Sequence, residues 1–530
     1  MLCNKALHRS HGITAAAAYT RVASRTLMTA APRKSRPTCM AYGATSVSVF
    51  SARRRGLATH ATSEPQNIAV IGGGITGLTT AHFLAKSVPV GTKITVYEAS
   101  DRIGGWLDTQ KVEFEQNGQK SVVQFERGPR TLRSYARDTW KMDDLVLFTL
   151  LNDLDIMPSF RPGGTRYVRI DGNITAVTPK NMIKLLWKPM LRGFWRMKRN
   201  RLGTFADRSD QRLPKDMSVG EFLRMAAGES RTVDQFASAV LHGIWGGDID
   251  RLSMQSVMPK PWHNYWLKEP LPHLAHLPAH ELALVTQLLT EEVRDMVKLS
   301  HQGALIAFPE GMGSIPKAIA KSLQDKPNVE IKLGQSISKV EFDSAARKVM
   351  LSTADGASPA AYDKVISTIN SKHLFRLAPK HLPAARPFDE PNGTKMFVLM
   401  KGTYAEEDAK AKVREILHDH LGIDPDERCI MLARTNKDCI PQHHVGHREL
   451  MARADGELSA AFNGQLAVAG PSYSAVGVVG SMRSGYDMAT QVTDPGKGRG
   501  RRHGSRSLPR RREAASRRPA RAAGGRQADP

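Results

Sequence analysis

An α/β fold built on a Rossmann-like dinucleotide-binding domain is predicted by three observations. An apolar run at residues 67–71 opens into a glycine-rich turn, a second short strand ends in an acid at Glu98, and another glycine-rich segment follows far downstream at Gly470 to Gly477. The chain has 530 residues, 41% hydrophobic and 24% charged, which is enough for two or three domains with a sizeable core. It contains no apolar run of about 18 residues, so a membrane-spanning helix is not expected.

Each element follows from local chemistry. Asn67-Ile68-Ala69-Val70-Ile71 reads as a buried strand. Gly72, Gly73, Gly74, Thr76 and Gly77 form a G-x-G-x-x-G turn, and the apolar spacing from Leu78 to Ser87 predicts a helix whose N-terminus faces a phosphate. Lys93 to Tyr97 is the next strand, and Glu98 after it is placed to accept hydrogen bonds from an adenosine ribose. Residues 329–333, 337–342, 348–352 and 364–368 read as a β-rich return.

The formal charge is +25, from 76 Lys and Arg against 51 Asp and Glu, but it is not spread over a face. Residues 1–63 hold ten basic residues and no acid, the composition of a mitochondrial transit peptide, with Arg53-Arg54-Arg55 as a plausible processing region. Residues 495–530 hold twelve basic residues and two acids with little apolar content, which predicts a disordered tail. That tail lacks interleaved aromatics for base stacking, so no nucleic-acid partner is expected. Only Cys3, Cys39, Cys429 and Cys439 are present, too few for a disulfide framework once a leader is removed. Pro272 and Pro278 break any common helical face for His273, His276 and His280, so no metal site is expected. No G-x-S-x-G elbow supports hydrolase chemistry.

Between the ends, Lys184, Lys188, Arg192 and Arg196 recur every fourth residue beside Trp187, Phe194 and Trp195. A helix would present them as a basic stripe with aromatic anchors, suited to an anionic membrane surface or simply to solvent, with Pro189 interrupting it.

Past Glu98 the chain reads Ala99-Ser100-Asp101-Arg102-Ile103-Gly104-Gly105-Trp106, which resembles the extension of the amine-oxidase-like flavoproteins. The resemblance implies FAD, with Arg102, Gly104 and Gly105 running along its ribityl and pyrophosphate and Ala99 and Trp106 among the other cofactor-binding residues. It also implies closure of that site by the Gly470, Gly477 and Val478 segment and an adenine contact from the backbone of Ile337. Within that family, ordered segments are similar to those of the protoporphyrinogen oxidases: Phe125 to Arg133, His242 to Asp248 with Leu252-Ser253, Phe308 to Pro316, and Ile440-Pro441-Gln442 with Val445-Gly446-His447.

That similarity implies an oxygen-dependent enzyme acting on protoporphyrinogen IX. It would take electrons in two-electron steps, form hydrogen peroxide from O2, and lie peripherally on the intermembrane-space side of the mitochondrial inner membrane. A homodimer and a contact with ferrochelatase are implied in the same way. Arg130 is the expected partner of a substrate propionate, since a guanidinium binds a carboxylate bidentately; an internal ion pair with Glu126 or Asp101 is the alternative. A related amine oxidase or desaturase, or a non-catalytic flavin-binding relative, are the other readings.

The corresponding layout is a leader at 1–63, FAD-binding parts at 64–140, 301–370 and 451–494, a helical membrane-facing and substrate-binding region at 141–300, a substrate-domain remnant at 371–450 and the basic tail at 495–530. The fold is thus a Rossmann-like domain interrupted by a mixed substrate domain and a helical domain. Relative to the family the chain is short between Ile369 and Gly393, where pocket-floor strands are expected and roughly sixty residues are missing. Glu310 also stands where the family has glycine, and Val479-Gly480 replace a polar pair.

Overall fold

Five parallel strands carry the centre of the molecule, in the order Val329–Lys332, Lys93–Tyr97, Asn67–Ile71, Lys364–Ser367, Leu466–Val468. The structure is a computed structural model and describes residues 66–116, 119–134, 142–163, 166–170, 173–200, 214–266, 279–303, 305–377, 405–421, 424–426, 431 and 440–493. The expected leader and basic tail, the four cysteines, His273, His276 and the stretch from 378 to 404 lie outside the described residues.

The central strand is nearly continuous in apolar residues because both faces of the sheet are covered, as parallel sheets require. Side chains alternate between faces with period two. Ile68 and Val70 join a core with Leu78, Leu84, Phe148, Ile315 and Met482, supplied by helices Ile75–Ser87, Asp143–Asp153, Ser314–Gln324 and Val478–Thr493. Ala69 and Ile71 point the other way, into a core with Val340, Leu351, Phe462 and Leu466.

Two sequence expectations change here. The four stretches read as one β-rich return divide: Val329–Lys332 and Lys364–Ser367 belong to the parallel sheet, and the antiparallel meander is Ile337–Asp343, Lys348–Thr353 and Ala360–Tyr362. The first helix begins at Ile75, one turn earlier than its apolar spacing indicates.

A separate helical region packs around Trp262, which is fully buried, with Phe222, Tyr265 and Trp266. Its helices start on side-chain caps: Ser218 accepts from Glu221 N, Ser230 from Val233 N and Ser253 from Ser256 N. The 22-residue helix Pro179–Asn200 lies alongside and has no buried residue. Pro189 sits within it, so the loss of one backbone donor does not end the helix.

The expected basic stripe is split. Arg196 turns inward and donates to the Met225 carbonyl at 2.7 Å, in the last turn of the helix Val219–Ala227, where a cation complements exposed carbonyls. Arg192 reaches the adjoining Gly228. Lys188 and Lys198 remain outward over aromatic rings, 5.5 Å from Trp187 and 5.0 Å from Phe194.

Candidate functional site

The glycine turn is built by close approach rather than by side chains. Gly72 has φ +107°, a conformation that favours glycine, and its N–H donates to the Tyr97 carbonyl at 2.7 Å. A Cβ at Gly77 would stand 1.9 Å from the Gly72 oxygen, so only glycine lets the helix start beneath the turn. Thr368 holds the turn from the neighbouring strand, its hydroxyl donating to Ile71 O at 2.9 Å. Gly74 differs: an added Cβ would meet nothing nearer than Gly105 Cα at 4.0 Å. The protein itself does not require glycine there, whereas a pyrophosphate approaching the backbone does.

Glu98 is braced against this turn. One carboxylate oxygen accepts from Gly73 N at 2.7 Å, the other from the Ser100 N–H and hydroxyl at 2.9 and 2.7 Å. A carboxylate offers about four lone-pair sites, so this fixes its orientation and leaves capacity for a ribose hydroxyl. The extension after Glu98 folds back onto the turn: Gly104 N donates to Gly73 O at 2.9 Å. Gly104 and Gly105 take φ of +102° and +57°. Arg102 donates to Gly105 O at 2.8 Å and lies 3.8 Å from Asp108, so its guanidinium shapes this loop. Ala99 lies in the same loop, and Trp106 follows with 40% of its surface exposed.

The downstream segment arrives at the same place. An added Cβ at Gly470 would lie 3.6 Å from the Thr76 hydroxyl and 3.5 Å from Thr368 O, so the two glycine segments abut. Gly470 N donates to Ser484 Oγ at 3.0 Å. Gly477, at φ +110° with open space around it, leads into Val478, the first residue of the helix Val478–Thr493. That helix lies close on the first one because Gly485 has no side chain; a Cβ there would come 2.6 Å from Thr76 O. Ile337 opens the meander with its side chain in the core, and two residues before it Gln335 N donates to Glu98 O at 2.9 Å, which brings this strand alongside Glu98.

On the substrate side, Arg130 is solvent-accessible and partial burial of its guanidinium pushes its pKa below the usual arginine value. Glu126 accepts from Met312 N at 3.0 Å and from Thr109 Oγ1 at 2.8 Å, and Thr109 in turn accepts from Gly313 N at 2.8 Å. It latches the hairpin Thr109–Gln116 and Gln119–Glu126 to the Phe308 to Pro316 segment. Glu310, the residue in the family's glycine position, pairs with Lys111 at 2.7 Å on the surface.

The remaining substrate-side segments also meet. Gln442 Nε2 donates to Trp245 O at 2.6 Å, Ser253 N donates to His443 O at 2.8 Å, and Leu252 bridges His444. His443 reaches the Pro471 carbonyl beside Gly470 at 3.0 Å. Sequence reasoning missed His443, and it missed Arg483, which is buried with Glu281 at 3.0 Å, Asp143 at 3.4 Å and Asp487 at 2.7 Å. Burial alone would lower the pKa of Arg483, but the Asp487, Glu281 and Asp143 carboxylates raise it well above its ordinary value. Asp487 lies one turn along the same helix, but Glu281 and Asp143 are 202 and 340 residues away, which hides this network in the sequence.

Chemically, the cradle suits a long anionic cofactor. The helices beginning at Ile75 and Val478 both follow glycine and carry no acid in the first turn, so no first-turn carboxylate competes with an anion for their N-terminal N–H groups. With the braced Glu98 and the open approach at Gly74, these residues fit FAD.

Comparison with known proteins agrees. The family model of flavin containing amine oxidoreductases matches residues 75–459. Protoporphyrinogen oxidase of Schizosaccharomyces pombe is 27% identical over 491 residues, covering 80% of this chain and 98% of that protein. The Homo sapiens protoporphyrinogen oxidase is 23% identical, covering 81% and 99%. In fold, a protein from Exiguobacterium sp. 255-15 assigned as a protoporphyrinogen oxidase superposes with TM-score 0.54 at 18% identity, over 81% of this chain and 99% of its own. A putrescine oxidase variant superposes with TM-score 0.52 at 14% identity over the same shares. With the family model spanning most of the chain and the cradle built as an FAD site requires, the protein belongs to the flavin containing amine oxidoreductase family.

Proposed function

We propose that the chain oxidises protoporphyrinogen IX to protoporphyrin IX in heme biosynthesis, with O2 as final acceptor and hydrogen peroxide as co-product. FAD, when bound, supplies the acceptor for hydride equivalents. The chain's own residues bind, orient and enclose. The observation that carries the reading is the convergence of the substrate-side segments: Trp245 and Ser253 from one, Gln442 and His443 from another, joined to the flavin loop at Pro471. The full-length similarity to protoporphyrinogen oxidases of two eukaryotes supports it.

Arg130 would orient the substrate through a propionate, because a planar guanidinium can hold a carboxylate by two parallel hydrogen bonds. Its exposed position on the segment after the Glu126 latch leaves it accessible to such a group. The helix Pro179–Asn200 exposes Ile183, Trp187, Leu191, Phe194 and Trp195, flanked by Lys184, Lys188 and Lys198. Apolar anchors beside cations support peripheral attachment to an anionic membrane, in line with a mitochondrial inner-membrane location.

A second reading, a flavin-binding relative without turnover, is favoured by one observation. The match to the S. pombe enzyme runs over 491 positions yet takes in only 80% of this chain, so several tens of that protein's positions have no counterpart here. Turnover separates the two. FAD-loaded protein given protoporphyrinogen in air should produce porphyrin fluorescence with hydrogen peroxide; full flavin occupancy without fluorescence would leave the non-catalytic reading standing.

A further inference from the structure

Behind the flavin loop lies a pair of buried histidines. His443 and His447 stack with ring centroids 3.9 Å apart and planes 12° from parallel, and Trp245 packs on His443 at 5.9 Å. His443 is 2% exposed. Its backbone carbonyl accepts from Ser253 N, its ring Nε2 stands 3.0 Å from Pro471 O, and the residue before that proline, Gly470, is held by Ser484.

Because a carbonyl can only accept, Nε2 must carry the proton. Burial pushes both histidines down, His443 to about 4 and His447 to about 2, so both rings are neutral near neutral pH and the tautomer of His443 is set by Pro471. One side chain thus ties the segment carrying Gln442 to the loop that closes the FAD cradle, through a single donor in a dry environment.

We infer that His443 is a positioning residue for the flavin loop: its Nε2–H holds the Pro471 carbonyl, and so fixes the Gly470-Pro471 turn against Thr76 and Thr368. The inference rests on the FAD site and not on the porphyrin substrate, so a failure of turnover would leave it intact. Leaving the part-buried Pro471 carbonyl without its donor disfavours that loop conformation, and the loss passes to the cofactor it encloses.

The test is FAD affinity of the full chain, by titration of apoprotein, together with the visible spectrum and midpoint potential of the bound flavin. H443F keeps the ring and removes the donor; H443Q keeps an amide donor; H443N carries an amide that stops short of Pro471; H447F alters the stack and keeps the His443 donor. FAD affinity should fall about tenfold in H443F and H443N, with a changed flavin spectrum, and stay within about twofold of wild type in H443Q and H447F. If H443F does not fold, H443N reads the same donor. Equal affinity, spectrum and potential in H443N and wild type, or equal losses in H443Q, H443N and H447F, would overturn the inference.

Discussion

The glycine cradle and the helix Pro179–Asn200 use apolar residues in opposite ways. In the cradle, Ile68 to Ile71 are all buried and each face of the strand has its own core. In the helix no residue is buried, and Trp195 is 63% exposed among other large apolar side chains. The first region is completed by its own chain, with an open backbone approach at Gly74 that the proposed FAD site would use. The second leaves its large apolar side chains exposed, the surface that the proposed membrane attachment would use. One region should therefore respond to mutation through folding and FAD, the other through attachment.

The largest effect should come from the buried Arg483. R483M leaves Glu281, Asp143 and Asp487 without their shared cation and should lower stability by about 3–5 kcal/mol, read by denaturant unfolding. An unchanged midpoint would show that those carboxylates do not depend on it.

Within the cradle, two glycines sharpen the comparison. G77A forces a Cβ into the Gly72 carbonyl and should depress both the melting temperature and FAD retention. G74A, at an extended backbone with φ −74°, should leave the apoprotein's melting temperature unchanged and lose FAD alone. If both variants lose stability equally, Gly74 serves packing rather than the cofactor.

Acid provides a third test. His443 and His447 have folded pKa values of about 4 and about 2 against an ordinary 6.5, so the unfolded chain binds more protons between those values. Their contribution to stability is present above pH 6.5 and is lost as pH falls toward 4 for His443 and on toward 2 for His447, so the unfolding free energy should rise with pH across that window. In H447F the slope should shrink; an unaltered slope would place the titration elsewhere.

The smallest stability effects belong to the outer helix. Glu at Lys184, Lys188 and Lys198 should leave the melting temperature near wild type and release the protein from anionic vesicles. Arg196, bonded to Met225 O, should instead cost stability when replaced. Vesicle binding unaffected by the lysine changes would remove the membrane role of this face.

Legibility in the sequence followed the range of the interactions. The strand, turn, helix and acid from Asn67 to Glu98 were readable because neighbouring residues dictate them, and the turn, extension and downstream glycines do meet. The inward turn of Arg196 was not readable, because its acceptor lies on another helix. Arg483 and His443 were hidden for the same reason: Glu281 is 202 residues from Arg483, and Pro471 lies on a segment whose path only the fold defines. Periodicity identified strands but not their partners, which is why two sheet strands were grouped with the meander.

The most direct test of the account is anaerobic mixing of the FAD-loaded protein with protoporphyrinogen IX, with putrescine as the comparison substrate. Bleaching of the flavin absorbance by protoporphyrinogen, with porphyrin fluorescence following only when air is admitted and O2 reoxidises the flavin for the remaining electron pairs, and no response to putrescine, is the predicted result. A flavin that stays oxidised with protoporphyrinogen would contradict it.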